Sequence, residues 1–439
     1  MFGRHRRRRG RRTWGQRLVL LINATVVLAC FGAAVGVRFA NGKANTIRRV
    51  VIEPRPAATA SGPRPTVGVG VPGSGGPSNV STTAAPAPGR AVNFLVVGSD
   101  SRACIDPGAE DAAQFLENGD TGNQSDTIMV LRVEPATNQA AILSFPRDLF
   151  VKLAGSGRSG KINAAFAGGN PTRLVQTIED NFGVPVDHYV QIDFCAFKSI
   201  VDAVGGVKIA FEYPTRDTHS GLWVPEPACV AFDGVNALRY ARSRYFEWST
   251  NGGRTWIDDG TADRGRIRRQ QDFIKRVMQK AIDKGARRPQ VAAKLIDATL
   301  KYVQFDSELR VNDLLDLATQ LRSFDPATVR TFRIDGVDAW VGDQQVIRPV
   351  LTNAGTKQIL AVFRGDEPLS AMDATTTTDV PSAAVPSTAG GTDDTATSGP
   401  SSTTAVQAPP ARSTTSTRPT PLPGEDSVGY LPPDDPTCR

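Results

Sequence analysis

Apolar positions along this chain come in two spacings, and the alternation between them lays out a domain. Residues Val92–Asp100, VNFLVVGSD, form an apolar run ending in Gly-Ser-Asp, the pattern of a buried strand entering a loop. DTIMVLRV (126–133) and AAILSF (140–145) are two more such runs, with the turn EPATNQ between them. Thr172 to Asn181 has helical periodicity and is stopped by Gly183 and Pro185. DHYVQID (187–193) predicts a strand, FKSIVDAVGG (197–206) a helix closed by paired glycines, and VKIAFEY (207–213) another strand. Asp263–Lys284 predicts one long helix, and VAAKLIDATLKYV (291–303) and VNDLLDLATQLRSF (311–324) are amphipathic at helical spacing. VRTFRI (329–334) and a short ending close the unit. The economical architecture is α/β: one α-β-α sandwich, a sheet between helices, over residues 91–370.

The flanks follow other rules. Residues 1–17 hold eight arginines and no acid, and Leu18–Val37 is a stretch of twenty uncharged residues closed by Arg38. That length predicts a membrane-spanning helix, and the arginine excess before it places the N-terminus in the cytoplasm and the rest outside. The apolar stretch is long for a cleaved signal peptide and no small-residue cleavage site follows Val37, so a retained anchor is expected. Residues 38–90 then form an extracytoplasmic stalk whose Pro/Gly/Ser-rich part starts near residue 53, and 371–439 form a Thr/Ser/Pro-rich tail; both lack the apolar content for a core and are expected to be disordered. The tail is therefore expected to be dispensable for activity.

This layout changes the meaning of the charge. The formal net charge is +7, and removing the eight arginines of the tip leaves 7 − 8 = −1 for everything else. A generally basic nucleic-acid binder is excluded, and an exported domain would not meet DNA. Arginine outnumbers lysine 40 to 11, the bias of a GC-rich genome. Of the five cysteines, Cys104, Cys195 and Cys229 lie in the exported body, where disulfides form. No C-x-x-C spacing offers a structural zinc site. A Cys195–Cys229 bridge with Cys104 left over is the expected pairing, although spacing alone does not fix it.

Candidate chemistry concentrates where charge meets loops. GSDSR (98–102) ends the first strand, GNQSD leads to Asp126, SFPRDL places Arg147 and Asp148 after a strand and a proline, and RYARSRYFE carries Arg242 and Arg244. In ADRGRIRRQQDF, Asp263, Arg266 and Gln270 are spaced i, i+3, i+7 and share one helical face, with Arg269 beside Arg266. Arg264, Arg268 and Lys275 point elsewhere and read as solvated. Arg242 and Arg244 face one target only if the backbone between them is extended or turning. A single arginine of this kind is most simply a surface ion pair worth little. The whole set, with Asp100, Asp126 and Arg147, fits something else: guanidinium forks suit phosphate oxygens, and two carboxylates suit a hard divalent cation sharing them. A pyrophosphate bound through Mg²⁺ satisfies both sets.

Histidine chemistry has few parts: outside the basic tip only His188, in a strand, and His219, in a polar loop, are present. Gly155–Lys161, GSGRSGK, fails the phosphate-loop pattern because Ile162 occupies the hydroxyl position; it reads as a hairpin or lid with Lys161 at the site edge.

NFLVVGSDSR, SDTIMVLRV, ILSFPRDL, KINAAFAGG, VDAVGGVKI, FDGVNALRYARSR and DRGRIRRQQ occur in that order across Val92–Gln271. Together they resemble the LytR-CpsA-Psr (LCP) family of cell-wall glycopolymer ligases, over most of the folded domain and neither low-complexity flank. The resemblance implies a membrane-anchored phosphotransferase that moves a glycopolymer from a polyprenyl-pyrophosphate carrier to the C6 hydroxyl of peptidoglycan N-acetylmuramic acid. It implies Asp100 and Asp126 as ligands of Mg²⁺, with Mn²⁺ the alternative ion. It implies Arg147, Arg242, Arg244, Arg266 and Gln270 on the pyrophosphate, with Arg102, Arg269, Asp148 and Lys161 near the substrate. Asp263 either accepts the proton of the attacking hydroxyl or orients Arg266, and Asp148 is the other base candidate. The polyprenyl chain is expected in an apolar tunnel, for which Phe166, Val175, Ile178, Phe182, Phe194, Phe197, Ile200 and Val201 are candidate lining and equally ordinary core. An arabinogalactan-type polymer is the expected substrate. The competing readings are a polyprenyl-pyrophosphate pyrophosphatase, a non-enzymatic envelope regulator, for which the seventeen-residue tip leaves no DNA-binding module, and a wall-binding scaffold.

Overall fold

The computed structural model describes residues 48–53, 89–101, 108, 125–285, 291, 295, 303–321, 323–374 and 430–438. The basic tip, the apolar segment 18–37, Arg102, Cys104 and most of 291–303 lie outside the described residues. Among the described residues no helix is long and apolar enough to cross a membrane.

Seven strands form the central sheet in the order β1 (Arg48–Val50), β14 (Gln304–Asp306), β7 (His188–Ile192), β2 (Val92–Ser99), β3 (Ser125–Glu134), β4 (Gln139–Ser144) and β15 (Arg330–Arg333). The sheet is mixed: β2–β3, β3–β4 and β7–β14 are antiparallel, while β2–β7, β4–β15 and β1–β14 are parallel. The strand period of two sorts the side chains. Leu95 and Val97 of β2 and Ile128 and Val130 of β3 enter one core with α1 (Pro171–Phe182) and α6 (Ala354–Arg364). Phe94 and Val96 turn to the opposite face, where α2 (Phe194–Val204) and α5 (Val311–Gln320) pack. Met129 and Ile142 meet Ile274 and Met278 of α4 (Ala262–Asp283) on that same side. The first core is closed by Phe182, Phe332 and Phe363, each at most 1% exposed, and such burial contributes roughly 1.5–3 kcal/mol per side chain.

Short polar residues set the helix ends. Asn170, Asp193 and Asn353 accept backbone N–H donors at the starts of α1, α2 and α6, and Asp233 does so for α3 (Gly234–Arg242). β5 (Phe150–Lys152) and β6 (Ser159–Lys161) make the hairpin expected around Gly155. A smaller layer was not expected. β8 (Val207–Phe211) pairs with β11 (Ala228–Phe232), and β10 (Leu222–Val224), β9 (Thr215–Asp217), β12 (Glu247–Trp248) and β13 (Ile257–Asp258) form a second sheet. These cover a cluster of Val201, Ile209, Phe211, Phe232, Tyr240, Phe246 and Phe273. Strands of two or three residues are too short to show a period. The short ending is in fact a hairpin, β16 (Gly336–Val341) and β17 (Gln344–Pro349), followed by α6.

Three expectations are corrected. Arg48–Val50, assigned to the stalk, is an edge strand, and the Arg49 Nη1 donates to the Asp306 carbonyl at 3.0 Å. The end of the tail is packed: Tyr430 stacks on Phe246 and Trp248, and Arg276 Nη2 donates to the Pro432 and Pro433 carbonyls. The disulfide is Cys229–Cys438, with Cα atoms 5.5 Å apart, and the expected Cys195–Cys229 bridge is absent. Cys195 is bonded to a cysteine outside the described residues. In each case a distant partner ordered a segment whose own composition carries no core signal.

Candidate active site

A cavity of about 400 Å³ opens where the second face of the sheet meets α2, α3 and α4. One part of its wall is apolar: Val96, Met129, Phe194, Phe197, Leu238, Phe273 and Ile274. The other part is charged, with Asp100, Asp126, Arg147, Arg242, Arg244, Arg266 and Gln270. A register shift between Gly98 and Ser99 ends the regular pairing of β2 with β3, just before Asp100.

Three guanidiniums from three chain segments meet on Asp126. Arg147 Nη1 donates to Oδ1 at 2.6 Å, Arg244 Nη2 to Oδ2 at 2.8 Å, and Arg266 lies 3.4 Å from Oδ2 while donating to the Asp126 carbonyl at 2.6 Å. Burial pushes the Asp126 carboxyl up, but Arg266, Arg244 and Arg147 outweigh it and hold it at about 2. Burial and then the adjacent Arg266 push the Arg244 guanidinium below its ordinary value, against Asp126. Arg147 goes the other way: burial lowers it, but Asp126, with Asp148 and Asp263, outweighs that burial. The arginines therefore crowd one another as well as pairing. Arg266 is 2% exposed, lines the cavity, and its buried Nε has no hydrogen-bond partner.

The helical spacing brings part of the set together: Arg266 and Gln270 line the cavity, whereas Asp263 does not and sits behind Arg266, its Oδ1 2.6 Å from Nη2. Gln270 Nε2 is anchored to Thr127 Oγ1 and the Ala241 carbonyl, both at 3.0 Å. Arg242 ends α3 with its guanidinium 4.9 Å above the Phe194 ring, and Ser243 is extended, so Arg242 and Arg244 both reach the cavity.

Other candidates sit elsewhere. Asp148 pairs with Lys161 at 2.7 Å and with Arg147 Nε at 3.4 Å, and neither Asp148 nor Lys161 lines the cavity. Arg269 is fully buried away from it: Nη1 meets Asp259 Oδ2 at 2.9 Å, Nη2 donates to the Ser243 carbonyl, and the group stacks 4.4 Å over Phe246. Gly265 makes this possible, because a Cβ there would collide with Thr261 Oγ1 and the Asp259 carboxylate. Arg264 is a half-exposed partner of Asp338, and His188 pairs with Asp306. Of the proposed tunnel residues, Phe194 and Phe197 line the cavity, whereas Phe166, Val175, Ile178 and Phe182 fill the opposite core. Ile200 and Val201 pack into neighbouring clusters.

Asp217 was missed. It is fully buried and accepts from Ser243 Oγ at 2.6 Å and from the backbone N–H groups of His219, Ser220, Arg244 and Tyr245. Burial raises its carboxyl, but the Ser243 hydroxyl and those N–H groups outweigh it and hold it below the ordinary value. It fixes the turn that aims Arg244. The signal was an Asp followed by Thr-His-Ser in a turn, with nothing to point at residue 244. His219 and Tyr245, with rings 4.1 Å apart, also line the cavity.

The donor set bears on the cation. Among the described residues no group of three or more His, Cys, Asp or Glu forms a metal site. Asp100 and Asp126 both line the cavity and are carboxylates of the kind a hard divalent cation keeps beside water and phosphate, but both Asp126 oxygens are engaged by Arg147 and Arg244, so an ion on Asp126 would compete with those guanidiniums.

The LytR_cpsA_psr family model matches residues 74–356. The chain belongs to this family. Among its relatives, a probable cell wall biosynthesis protein LcpB of Corynebacterium glutamicum is 37% identical over 194 residues, 44% of this chain and 42% of that protein. The polyisoprenyl-teichoic acid–peptidoglycan teichoic acid transferase TagU of Enterococcus faecalis is 31% identical over 175 residues, 38% of this chain and 52% of that one. The chain spans about half the length of the curated relatives it matches. The solved structure of gbs0355 from Streptococcus agalactiae aligns with a TM-score of 0.50 at 22% identity, covering 63% of this chain and 88% of that one, and shows a shared fold. Family membership accounts for the ordered motifs, and five of the seven, those carrying Asp100, Asp126, Arg147, Arg244 and Arg266, line the cavity.

Proposed function

We propose that this LCP-family chain transfers a glycopolymer, of arabinogalactan type, from a polyprenyl-pyrophosphate carrier to the C6 hydroxyl of peptidoglycan N-acetylmuramic acid. The observation that carries the reading is one cavity lined both by arginines and by a set of large apolar side chains, which matches a diphosphate with a hydrocarbon tether. In this reading Phe194, Phe197, Leu238 and Phe273 hold the lipid, and Arg147, Arg242, Arg244, Arg266 and Gln270 grip the diphosphate. Asp100 and Asp126 would hold Mg²⁺, which neutralises charge on the bridging phosphate oxygens. The acceptor oxygen attacks the phosphorus joined to the sugar, that phosphorus parts from the bridging oxygen, and polyprenyl phosphate leaves. Asp263, whose Oδ1 lies 2.6 Å from Arg266 Nη2, keeps that arginine in place and takes the hydroxyl proton. The arginines stabilise charge growing on the leaving phosphate. Segment 18–37 anchors the chain once in the cell membrane, with the N-terminus cytoplasmic and the domain outside.

The test is product analysis with a lipid-diphosphate-linked glycan, with and without a peptidoglycan acceptor. A glycan–phosphodiester–muramic acid product supports the reading. Inorganic phosphate release that ignores the acceptor replaces it with a pyrophosphatase, and no turnover with intact binding replaces it with a non-enzymatic role.

A further inference from the structure

The second sheet has two faces of different character. Its inner rows, Leu222–Asp217 and Val224–Thr215–Trp248, are largely buried, and Asp217 on that side fixes Arg244 and Tyr245. Its outer row runs directly across the four strands as Trp223, Arg216, Glu247 and Asp258. Trp223 is 60% exposed, and its indole lies 5.8 Å from that of Trp256. The Arg216 guanidinium stacks 4.2 Å from the Trp256 ring centre and pairs with Glu247 at 2.6 Å. At the edge of this surface Tyr245 is 53% exposed and also lines the cavity.

An exposed Trp223 beside a half-buried Trp256 that carries a stacked guanidinium is not core that failed to close, since the sheet packs its core on the other side. Large exposed aromatics rimmed by polar groups mark a binding surface. The flanking chemistry selects the ligand. A pyranose ring whose substituents are all equatorial presents a flat C–H face to an indole, and its adjacent hydroxyl pairs match planar carboxylates and guanidinium. Glu247 and Asp258 disfavour an anionic lipid surface. We propose that Trp223, Trp256, Arg216, Glu247 and Asp258 form a docking platform for the β-1,4-linked glycan strand of the acceptor. The strand lies across the outer row and passes one sugar over Tyr245 into the cavity mouth. This rests on the transferase reading and names how its acceptor is held: the donor is fixed inside the cavity by its lipid, whereas a long flat polymer approaches over an open strip continuous with the mouth.

The probe is a soluble oligosaccharide of alternating N-acetylglucosamine and N-acetylmuramic acid, free of stem peptides, titrated calorimetrically into the full-length chain. Trp223→Ala, at a side chain 60% exposed, is expected to weaken its binding with an unchanged melting temperature, and Trp223→Ala/Trp256→Ala to weaken it by roughly tenfold or more. The same variant is expected to bind a short-chain prenyl diphosphate as the unsubstituted chain does, and Arg244→Ala is expected to lose the diphosphate and keep the oligosaccharide. Equal oligosaccharide affinity in the double variant overturns the platform, as does no oligosaccharide binding by the unsubstituted chain or stronger binding to anionic phospholipid vesicles. Failure of the unsubstituted chain to bind the prenyl diphosphate, with the oligosaccharide still bound, overturns the donor-site reading instead.

Discussion

Helix α4 carries two buried arginines three residues apart, and they belong to different kinds of region. Arg269 is 0% exposed and closed off from the cavity: its Nη atoms meet Asp259 and the Ser243 carbonyl, its plane stacks on Phe246, and the Tyr430 backbone N–H donates to the other oxygen of Asp259. Arg266 is 2% exposed and open: it shares Asp126 with Arg147 and Arg244, and its Nε has no hydrogen-bond partner. Burial alone does not separate the two. An unpartnered buried Nε, which both arginines have, does not separate them either. What separates them is access: Arg266 borders the cavity, where a ligand can reach it beside Arg147 and Arg244, and Arg269 does not.

Breaking the open cluster should have the largest effect. Arg266→Ala is expected to cut transfer roughly 100- to 1,000-fold, read from single-turnover rates. Because its side chain is buried between Asp126 and Asp263, the same change should cost about 3–5 kcal/mol in denaturant unfolding. Arg244→Ala, with a side chain 26% exposed, should match the kinetic loss with little change in stability. Equal stability losses in both would erase the distinction drawn here.

The closed cluster predicts the converse. Arg269→Ala is expected to destabilise by about 3–5 kcal/mol, while the rate per folded molecule falls only a few-fold. A rate loss as deep as that of Arg266→Ala would move Arg269 into the reacting site. Removing residues 430–439 should act on the same cluster, because it takes away the Tyr430 donor and the Cys229–Cys438 bond. A loss of about 2–5 kcal/mol is expected, the usual range for a native disulfide. An unchanged melting curve would return the tail to the dispensable status that its composition implies.

The open cluster also has an acid signature. Asp126 titrates at about 2, below its ordinary range, so its contribution is complete above about pH 4 and is lost as pH falls through about 2. Asp126→Asn should remove that component from acid unfolding curves, by a modest amount because the side chain is 42% exposed. The smallest effect lies between the clusters. Ala262, with φ 45°, separates Thr261, which donates to Asp259, from Asp263, which holds Arg266. Ala262→Gly should relieve that left-handed backbone and raise stability by about 0.5–1 kcal/mol, read as a higher urea midpoint.

Long strands and helices were legible because their periods persist: β2, β3, β4, α1 and α2 fall where the pattern places them. So was the shared face of Asp263, Arg266 and Gln270, since helical spacing alone puts them together. The cavity wall was less legible. Phe194 and Phe182 look alike as apolar residues, yet one borders open space and the other is sealed against Phe145. Asp217 carried a turn signal and Tyr245 none, and neither pointed to the cavity, because their role depends on which loop they support.

By itself, the sequence determined the layered α/β plan and the residue types suited to a diphosphate, because both follow from local periodicity and from what a guanidinium or carboxylate binds. Only the tertiary structure decided which arginines stayed open to a ligand and which were closed, how Cys229 found Cys438, and that Arg48–Val50 joins the sheet. Those outcomes depend on contacts between residues far apart in the chain, where space-filling and hydrogen-bond pairing choose among partners that the order of residues leaves equivalent.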